Sequence, residues 1–523
     1  MNRPWELVST NSIDILDVLG SNIRIDSYGS QIKRILPLKN DEVNREYISN
    51  RVRFFFDGLN RWRIITPILK NKQDFLFSSW SLVFPNIFLK LIQNIEKKKN
   101  LGFFLNSFVD LNTIYLTKII SNVNGFFVLK SNHLNLSDYY NFYINPNFLN
   151  LLKKKKVIIF IGSLLRLESP VLNIRFRLNL LNKQTLFLNC GSNRWDNLNT
   201  LSLGLNTKNL LLFLQGKHKL CSLVLKNLLA NNIIHNNLGF IVGSGGLNRC
   251  DNSRLLKIID FFSVKFKVLK KNIKKSNKLF PYKFKKGLIN TNVFQIIPNS
   301  LNKILFNEFN IFNTYFLEKD LDIRYYLGLN NNIKKNNNQL TIFQGHHTSY
   351  SNLKNIDVIL PSLNFFEKRN SYLNIEGLLQ ETNISIVNTA NSKSDWIILN
   401  SFFRYISEVI FIHYNFLLSL NIKYVELKRL KDNYFNFQYY KKLFLKKNSI
   451  NLFWKKLSKF NYYKFNYNYR LNFNLSEVIT LYNSIFSSFL ISPYTLDVVS
   501  KNSKWMSQSE IIFKKDFNNF LKF

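Results

Sequence analysis

An unbroken run of apolar residues, VIIFIGS at 157–163, restricts the fold more than any other feature of the sequence. It lacks the apolar–polar alternation of a half-exposed strand, which is typical of a parallel strand buried on both faces. Gly162 follows the run and predicts a tight turn. Similar runs ending in glycine return at 184–192 and 238–246, with helical segments between them. This alternation predicts an α/β fold with Rossmann-type, doubly wound sheets.

Other stretches extend this pattern along the chain. Residues 323–330 and 339–345 read as two further strands, and 169–182 and 221–232 as helices. Near the N-terminus, residues 13–36 alternate with a period near two and predict a hairpin that turns at Tyr28-Gly29.

Three parts are expected. They are a small β-rich module at 1–67, an α/β core at 68–425, and a divergent C-terminal extension at 426–523 that is rich in Lys, Asn, Tyr and Phe.

The net charge of +40 raises the question of a polyanionic partner, and 265–287 interleaves cations with aromatic rings as sites for single-stranded nucleic acid do. However, most basic residues are Lys, whereas Arg is the better ligand for phosphate. The chain is also rich in residues with A/T-rich codons, so genome composition explains the charge. We expect no nucleic-acid partner, and an organellar nucleic-acid-binding protein is the alternative.

No targeting segment is visible in MNRPWELVST, and the longest uncharged stretch, 478–496, is too polar for a membrane span. With the A/T-biased composition, this predicts a protein made inside an organelle, with no direct membrane span.

Three short motifs could carry chemistry. Lys153–Lys156 could hold phosphate, although lysines at a helix end often only favour the helix dipole. GSGG at 243–246 could cradle a phosphate, but Asn248 replaces the last glycine of the dinucleotide fingerprint. His346 and His347 could bind a metal ion or act with Glu367 and Glu376 as acids and bases. Adjacent side chains point in different directions in a strand, so one metal ion is not expected to take both histidines.

The sequence FQGHH, followed by IDVILP and NIEGLLQ, lies at 343–380 and resembles the molybdopterin oxidoreductase superfamily. Within it, these motifs resemble the branch that forms the large iron–sulfur subunit of respiratory complex I. SIDILDVLGSNIRI at 12–25, the βα unit at 157–177 and SDWIILNSFFRYIS at 394–407 match the same branch in the same order.

The resemblance implies a structural role in NADH:ubiquinone oxidoreductase, in the matrix-side arm at the mitochondrial inner membrane. It implies that the chain is non-catalytic, with other peripheral-arm subunits as partners. A separate N-terminal iron–sulfur fragment of the same subunit is also expected, with the iron–sulfur clusters and FMN in partner chains. An active molybdopterin oxidoreductase is the alternative.

Iron–sulfur members of this family carry a C-x2-C-x3-C-x27-C motif near the N-terminus. Asp14, Asp17, Ser21 and Ser49 stand at the matching positions with the same spacing. Because iron–sulfur clusters need thiolate ligands, we expect these to be vestigial cluster positions and the chain to hold no cofactor and no metal.

By the same resemblance, a vestigial cofactor pocket is expected in the core, lined by Gly162, Gly345, His346, His347 and Glu376. Gly345 and Gly377 are expected to allow tight turns, and Pro361 to end a strand.

Overall fold

The computed structural model describes residues 3–405 and 494–521, apart from 131–147, 222–237, 260–292, 298–320 and shorter gaps. Within these ranges the chain forms four β-sheets with helices between their strands, so the predicted α/β class is confirmed.

The strands are β1 (Val8–Ile13), β2 (Asn22–Tyr28), β3 (Gln31–Pro37), β4 (Ile68–Asn71), β5 (Asp74–Phe77), β6 (Leu101–Leu105), β7 (Phe127–Lys130), β8 (Val157–Ile161), β9 (Leu186–Cys190), β10 (Thr200–Gly204), β11 (Leu238–Val242), β12 (Val293–Ile296), β13 (Ile323–Leu327), β14 (Leu340–Gly345), β15 (Val358–Pro361), β16 (Ser371–Leu373) and β17 (Leu379–Glu381). The α-helices are α1 (Asn50–Phe54), α2 (Trp80–Ile95), α3 (Leu111–Asn124), α4 (Phe148–Leu152), α5 (Leu165–Glu168), α6 (Pro170–Asn182), α7 (Thr207–Leu214), α8 (Ser244–Leu247), α9 (Val498–Asn502) and α10 (Lys504–Leu521). Short 3₁₀ helices cover Pro4–Glu6 and Phe55–Gly58.

The first α/β sheet has the strand order β10-β9-β8-β11-β12, and all its pairs are parallel. Every residue of β8 is buried, which explains its unbroken apolar sequence. The chain winds outward from β8 through β9 to β10, and from β11 to β12 on the other side. The winding direction therefore changes between β8 and β11, the position where ligands bind in many sheets of this kind.

The second α/β sheet has the order β5-β4-β15-β14-β13-β6-β7. The five strands from β15 to β7 are parallel, and β4 and β5 extend one edge as an antiparallel hairpin. The predicted strands at 323–330 and 339–345 belong here as β13 and β14. Pro361 ends β15, as predicted.

The N-terminal sheet is antiparallel, with the order β1-β2-β3. The predicted turn at Tyr28-Gly29 is confirmed, and Gly29 has a φ of +55°. The prediction that the hairpin begins at Ile13 is wrong, because 14–21 form a buried loop between β1 and β2. Asp14 Oδ1 accepts the Leu16 amide hydrogen at 2.7 Å, and Gly20 takes a φ of +63°, so the chain turns away from strand geometry here.

The C-terminal helices α9 and α10 return to this N-terminal sheet. Val499 and Met506 pack in one apolar cluster with Ile25 and Phe55. Asp57 accepts a hydrogen bond from the first amide of α10 at 2.9 Å, which caps that helix.

The helix predicted at 221–232 lies almost wholly outside the described residues, as do the basic stretch at 265–287 and half of the lysine run at 153–156. Among the helices that the structure describes, none has the length and apolar character needed to cross a bilayer.

Candidate functional site

The loop at 14–21 and the start of α1 bury all four predicted cluster positions. The Asp14 amide donates to the Ser21 carbonyl oxygen at 2.8 Å. Asp17 Oδ1 accepts a hydrogen bond from the Ser169 hydroxyl at 2.7 Å, which ties the loop to the α/β core. Ser49 caps α1, and its Oγ accepts the Val52 amide hydrogen at 3.4 Å.

These carboxyl groups lie in an environment that disfavours their charge. Burial, together with the negative charge of Asp17, raises the pKa of Asp14 to about 7. Burial also raises the pKa of Asp17. Arg51, itself buried, opposes both shifts, and one of its Nη atoms donates to the Glu168 carbonyl oxygen at 3.4 Å.

A second site lies where the carboxyl ends of β8 and β11 meet. Gly162 has a φ of +54°, and a Cβ atom there would lie 2.5 Å from the Gly246 nitrogen, so only glycine fits. The Ser244 amide donates to Glu168 Oε1 at 3.1 Å, and the Ser244 hydroxyl contacts the same oxygen. The Gly245 amide donates to the Gly162 carbonyl oxygen at 2.8 Å.

The Gly246 amide is also engaged, by the carbonyl oxygen of Gly243 at 3.1 Å. The amides of 244–246 are therefore all hydrogen-bonded within the protein. The Glu168 carboxylate lies at the turn where a phosphate was predicted to bind. That alternative is not supported by the structure.

The predicted histidine pair lies just beyond β14, and its side chains meet. His346 Nδ1 and His347 Nδ1 are 2.6 Å apart, so the prediction that the rings point in different directions is wrong. His347 Nε2 lies 2.7 Å from the Leu59 carbonyl oxygen and must donate to it. His347 Nδ1 is then the acceptor, and His346 Nδ1 donates.

His347 is buried and His346 is half-buried, and both are uncharged near neutral pH. Burial, with the positive charge of Arg63, lowers the pKa of His347 to about 3. Burial, followed by the effects of His347 and of Arg63, also lowers the pKa of His346 well below its ordinary value. This pair therefore holds Leu59 in place and does not exchange protons near neutral pH.

A buried charge network lies beside the histidines, and among its members only Glu367 was a candidate from the sequence. Lys368 Nζ lies 2.5 Å from Asp395 Oδ2 and 3.3 Å from Asp110 Oδ1. Burial alone lowers the pKa of Lys368, but the two carboxylates outweigh it and raise that pKa. Arg63 pairs with Glu367, and both side chains are mostly buried.

A cavity of about 40 Å³ opens between Lys368, Asp395 and His346. Tyr372 lines it, and the buried Tyr372 hydroxyl has no hydrogen-bond partner in the structure. The volume matches one or two water molecules. The lining residues are Asn106, Phe108, Val109, Gly328, His346, Ser362, Phe365, Lys368, Tyr372, Asp395, Asp497 and Val498.

Two of the predicted pocket residues have structural roles elsewhere. Glu376 Oε1 accepts the Leu149 amide hydrogen at 2.8 Å and so fixes the start of α4. Gly345 is the last residue of β14, and a Cβ atom there would lie 2.7 Å from the Phe343 ring. The tight turn predicted at Gly377 is confirmed by its φ of +78°, whereas Gly345 is a strand residue.

Among the described residues there is no group of three or more His, Cys, Asp and Glu side chains that could hold a metal ion. Cys190 and Cys221 are buried free thiols. Burial raises the pKa of Cys190 to about 12, so its sulfur stays protonated at neutral pH.

Comparison with known proteins agrees with this architecture. Residues 63–405, about two thirds of the chain, match the molybdopterin oxidoreductase family. Residues 7–57 match the family described as the NADH-ubiquinone oxidoreductase NDSU1/NuoG-like, 4Fe-4S domain. The chain belongs to the molybdopterin oxidoreductase family.

Curated relatives carry more particular names. The NADH-ubiquinone oxidoreductase 75 kDa subunit of Reclinomonas americana is 31 % identical over 433 residues, which cover 78 % of this chain and 58 % of that protein. The subunit of the same name from Acanthamoeba castellanii is 28 % identical, and the match covers 99 % of this chain and 69 % of that protein. The mitochondrial NADH dehydrogenase [ubiquinone] iron-sulfur protein 1 of Solanum tuberosum is 27 % identical, and the match covers 78 % of this chain and 52 % of that protein. The chain thus spans about half to two thirds of the length of these relatives.

The prediction that this chain holds no cofactor is contradicted by the match of 7–57, which assigns the N-terminal module to a class of 4Fe–4S domains. The donor atoms at the four motif positions nevertheless differ from those of that class. Asp14, Asp17, Ser21 and Ser49 supply carboxylate and hydroxyl oxygens, whereas cluster iron is held by thiolates. These four residues do not fit a 4Fe–4S cluster.

Proposed function

We propose that this chain is part of the large subunit of NADH:ubiquinone oxidoreductase and lies in the matrix-side arm of that complex. The observation that carries the proposal is the co-linear match of 7–57 and 63–405 to the two families, together with relatives that bear this subunit's name.

Within the complex, the chain supports and positions neighbouring subunits. The buried charge network and the histidine pair favour such a scaffold role, because their polar atoms bond to one another and to the backbone. In this proposal, structural remnants of a cofactor pocket are found at Gly162, Gly345, His346, His347 and Glu376. The boundaries at residues 67 and 425 separate an N-terminal module, an α/β core and a C-terminal extension.

We further propose that one partner is a separate chain with the remaining iron–sulfur part of the subunit. Strand β1 is an edge of the N-terminal sheet, and the nearby side chains of Trp5 and Val8 are 75 % and 63 % exposed. These residues offer an apolar surface to such a partner.

Native electrophoresis of digitonin-solubilised mitochondria tests the main proposal. An antibody to the chain should label the band that oxidises NADH in the gel, and peptide sequencing of that band should find the partner. A chain that migrates apart from an intact, active complex contradicts the proposal.

Separate experiments test where the chain is synthesised and on which side of the inner membrane it lies. If the chain is made inside the organelle, its labelling stops with an inhibitor of mitochondrial ribosomes and continues with cycloheximide. A matrix-side location predicts protease resistance in mitoplasts and cleavage after the inner membrane is opened.

A further inference from the structure

The cavity beside Lys368 is lined by side chains whose hydrogen-bonding capacity the described residues do not use up. The Tyr372 hydroxyl is buried and has no hydrogen-bond partner among those residues. Lys368 Nζ carries three hydrogens, and the described part of the chain gives it two acceptors, Asp110 and Asp395. One N–H group of Lys368 and one O–H group of Tyr372 are therefore left as donors.

His346 also lines the cavity, and its remaining ring nitrogen is an acceptor. His347 Nε2 donates to the Leu59 carbonyl oxygen, so His347 Nδ1 is unprotonated and His346 Nδ1 donates to it. A neutral imidazole carries one hydrogen, so His346 Nε2 carries a lone pair. The ring stays neutral because burial, followed by the nearby positive charges, lowers the pKa of His346 well below its ordinary value.

The two carboxylates of the lining are already bonded. Asp395 Oδ1 accepts a hydrogen bond from Gln344 Nε2 at 3.0 Å, and Asp395 Oδ2 pairs with Lys368. Asp497 accepts the first amide hydrogens of α9 and so caps that helix. The groups that remain for a ligand are therefore two donors and one acceptor.

This combination fits water better than an ion. A buried water molecule makes about three hydrogen bonds, and here it can accept from Lys368 and Tyr372 and donate to His346. An anion can accept from the two donors, but it would meet the lone pair of His346 and the negative charge of Asp395. A metal cation would be repelled by Lys368.

We propose that one or two ordered water molecules occupy this cavity and join Lys368 Nζ, the Tyr372 hydroxyl and His346 Nε2. The volume of about 40 Å³ is large enough for them. Asp497 and Val498 form another part of the lining, so this water lies where α9 meets the α/β core. The inference is independent of the proposed place in the respiratory complex.

Tyr372→Phe separates a hydrated cavity from a dry one by the sign of its effect. In a dry cavity the hydroxyl is a buried group without a partner, so its removal should raise the midpoint of thermal unfolding. With water bound, the same change breaks a hydrogen bond. We then expect the midpoint to fall, on the order of 1–2 °C for a chain of this length.

The midpoint is measured on the full chain in the assembly in which it is recovered, by following the chain's own peptides in the soluble fraction. Tyr325→Phe is the matched control, because the buried Tyr325 hydroxyl already bonds to Gln344 Oε1 at 2.6 Å. It should lower the midpoint whether or not the cavity holds water. A Tyr372→Phe midpoint at or above the original, with the expected fall in the control, would overturn the proposal.

Two further measurements need no variant. A cryo-electron microscopy map of the assembly that shows ordered water elsewhere in the chain should show density within hydrogen-bonding distance of Lys368 Nζ, the Tyr372 hydroxyl and His346 Nε2. An empty cavity in such a map would contradict the proposal. Exchanging chloride for gluconate at constant ionic strength should leave the midpoint unchanged, and a fall in the midpoint that Tyr372→Phe abolishes would show that the site holds an anion instead.

Discussion

At the scale of single residues, two neighbours in sequence have opposite environments. Lys368 is buried between Asp110 and Asp395, whereas the side chain of Arg369 is 59 % exposed beside Glu381. The pair allows a buried and an exposed cation to be compared one position apart.

Lys368→Met should lower the free energy of unfolding by about 3–5 kcal/mol, because it leaves two buried carboxylates without their cation. Arg369→Met should cost less than about 1 kcal/mol, since water screens an exposed pair. Urea denaturation of both variants measures the difference. Replacing Asp110 and Asp395 by Asn in the Lys368→Met chain should recover much of the loss, and equal costs for the two cations would contradict the assignment.

The histidine pair makes stability depend on pH. The pKa of His347 is about 3 in the folded chain and near its ordinary 6.5 in the unfolded chain. Below pH 6.5 the unfolded state therefore binds a proton that the folded state does not. The free energy of unfolding should fall as the pH decreases from about 6.5 towards 3, by up to about 1.4 kcal/mol per pH unit for this one group.

Denaturant unfolding at several pH values between 5 and 7 checks this slope. His347→Gln should flatten it, because glutamine can still donate to Leu59 but does not titrate. An unchanged slope in the His347 variant would show that this residue is not the cause.

At the scale of elements, the glycine turns hold β8 against β11. Gly162 and Gly29 have nearly the same φ, +54° and +55°, but differ in their surroundings. A Cβ atom at Gly29 would meet nothing within 4 Å, whereas one at Gly162 would meet the backbone of 245–246.

Gly29→Ala should therefore cost only the backbone strain, about 1–2 kcal/mol. Gly162→Ala should cost clearly more, because the backbone at the ends of two strands must also move. Thermal unfolding of the two variants isolates this difference. A Gly162→Ala chain no less stable than Gly29→Ala would mean that the two turns are not tightly packed.

Local sequence pattern predicted the strands and helices that are buried and regular. Runs such as 157–161 are apolar throughout because both their faces are covered, and glycine marks their ends. The pattern did not show that β13 and β14 lie in a different sheet from β8, because strand pairing depends on contacts far apart in the sequence.

The same limit applies to the sites. Asp14, Asp17, Ser21 and Ser49 were found through their spacing, and the structure buries all four. Lys368 was missed because its partners lie 258 and 27 positions away in the sequence. Glu168 was missed because a single glutamate in a helix carries no signal that its carboxylate bonds to a distant glycine turn.

At the scale of the whole molecule, the net charge of +40 is the dominant feature. If it reflects composition and not a specific partner, the chain should bind RNA and DNA weakly, with no preference for sequence. The affinity should fall steeply with salt, as counterion release requires. Filter binding with several unrelated RNAs from about 50 to 200 mM salt tests this. One sequence bound far more tightly than the others at the higher salt would contradict it.

The seven-stranded sheet is assembled from two separate stretches of chain. Strand β6 pairs with β13 through Leu101 and Ile323, and the whole five-stranded sheet is encoded between them. During synthesis at about 5–20 residues per second, β6 leaves the ribosome roughly 10–45 s before its partner exists. Its open edge must be kept from wrong pairing for that time, whereas the five-stranded sheet can close as soon as β12 emerges. We therefore expect the inserted sheet to fold first during translation, with chaperones needed mainly for the sheet that surrounds it in sequence.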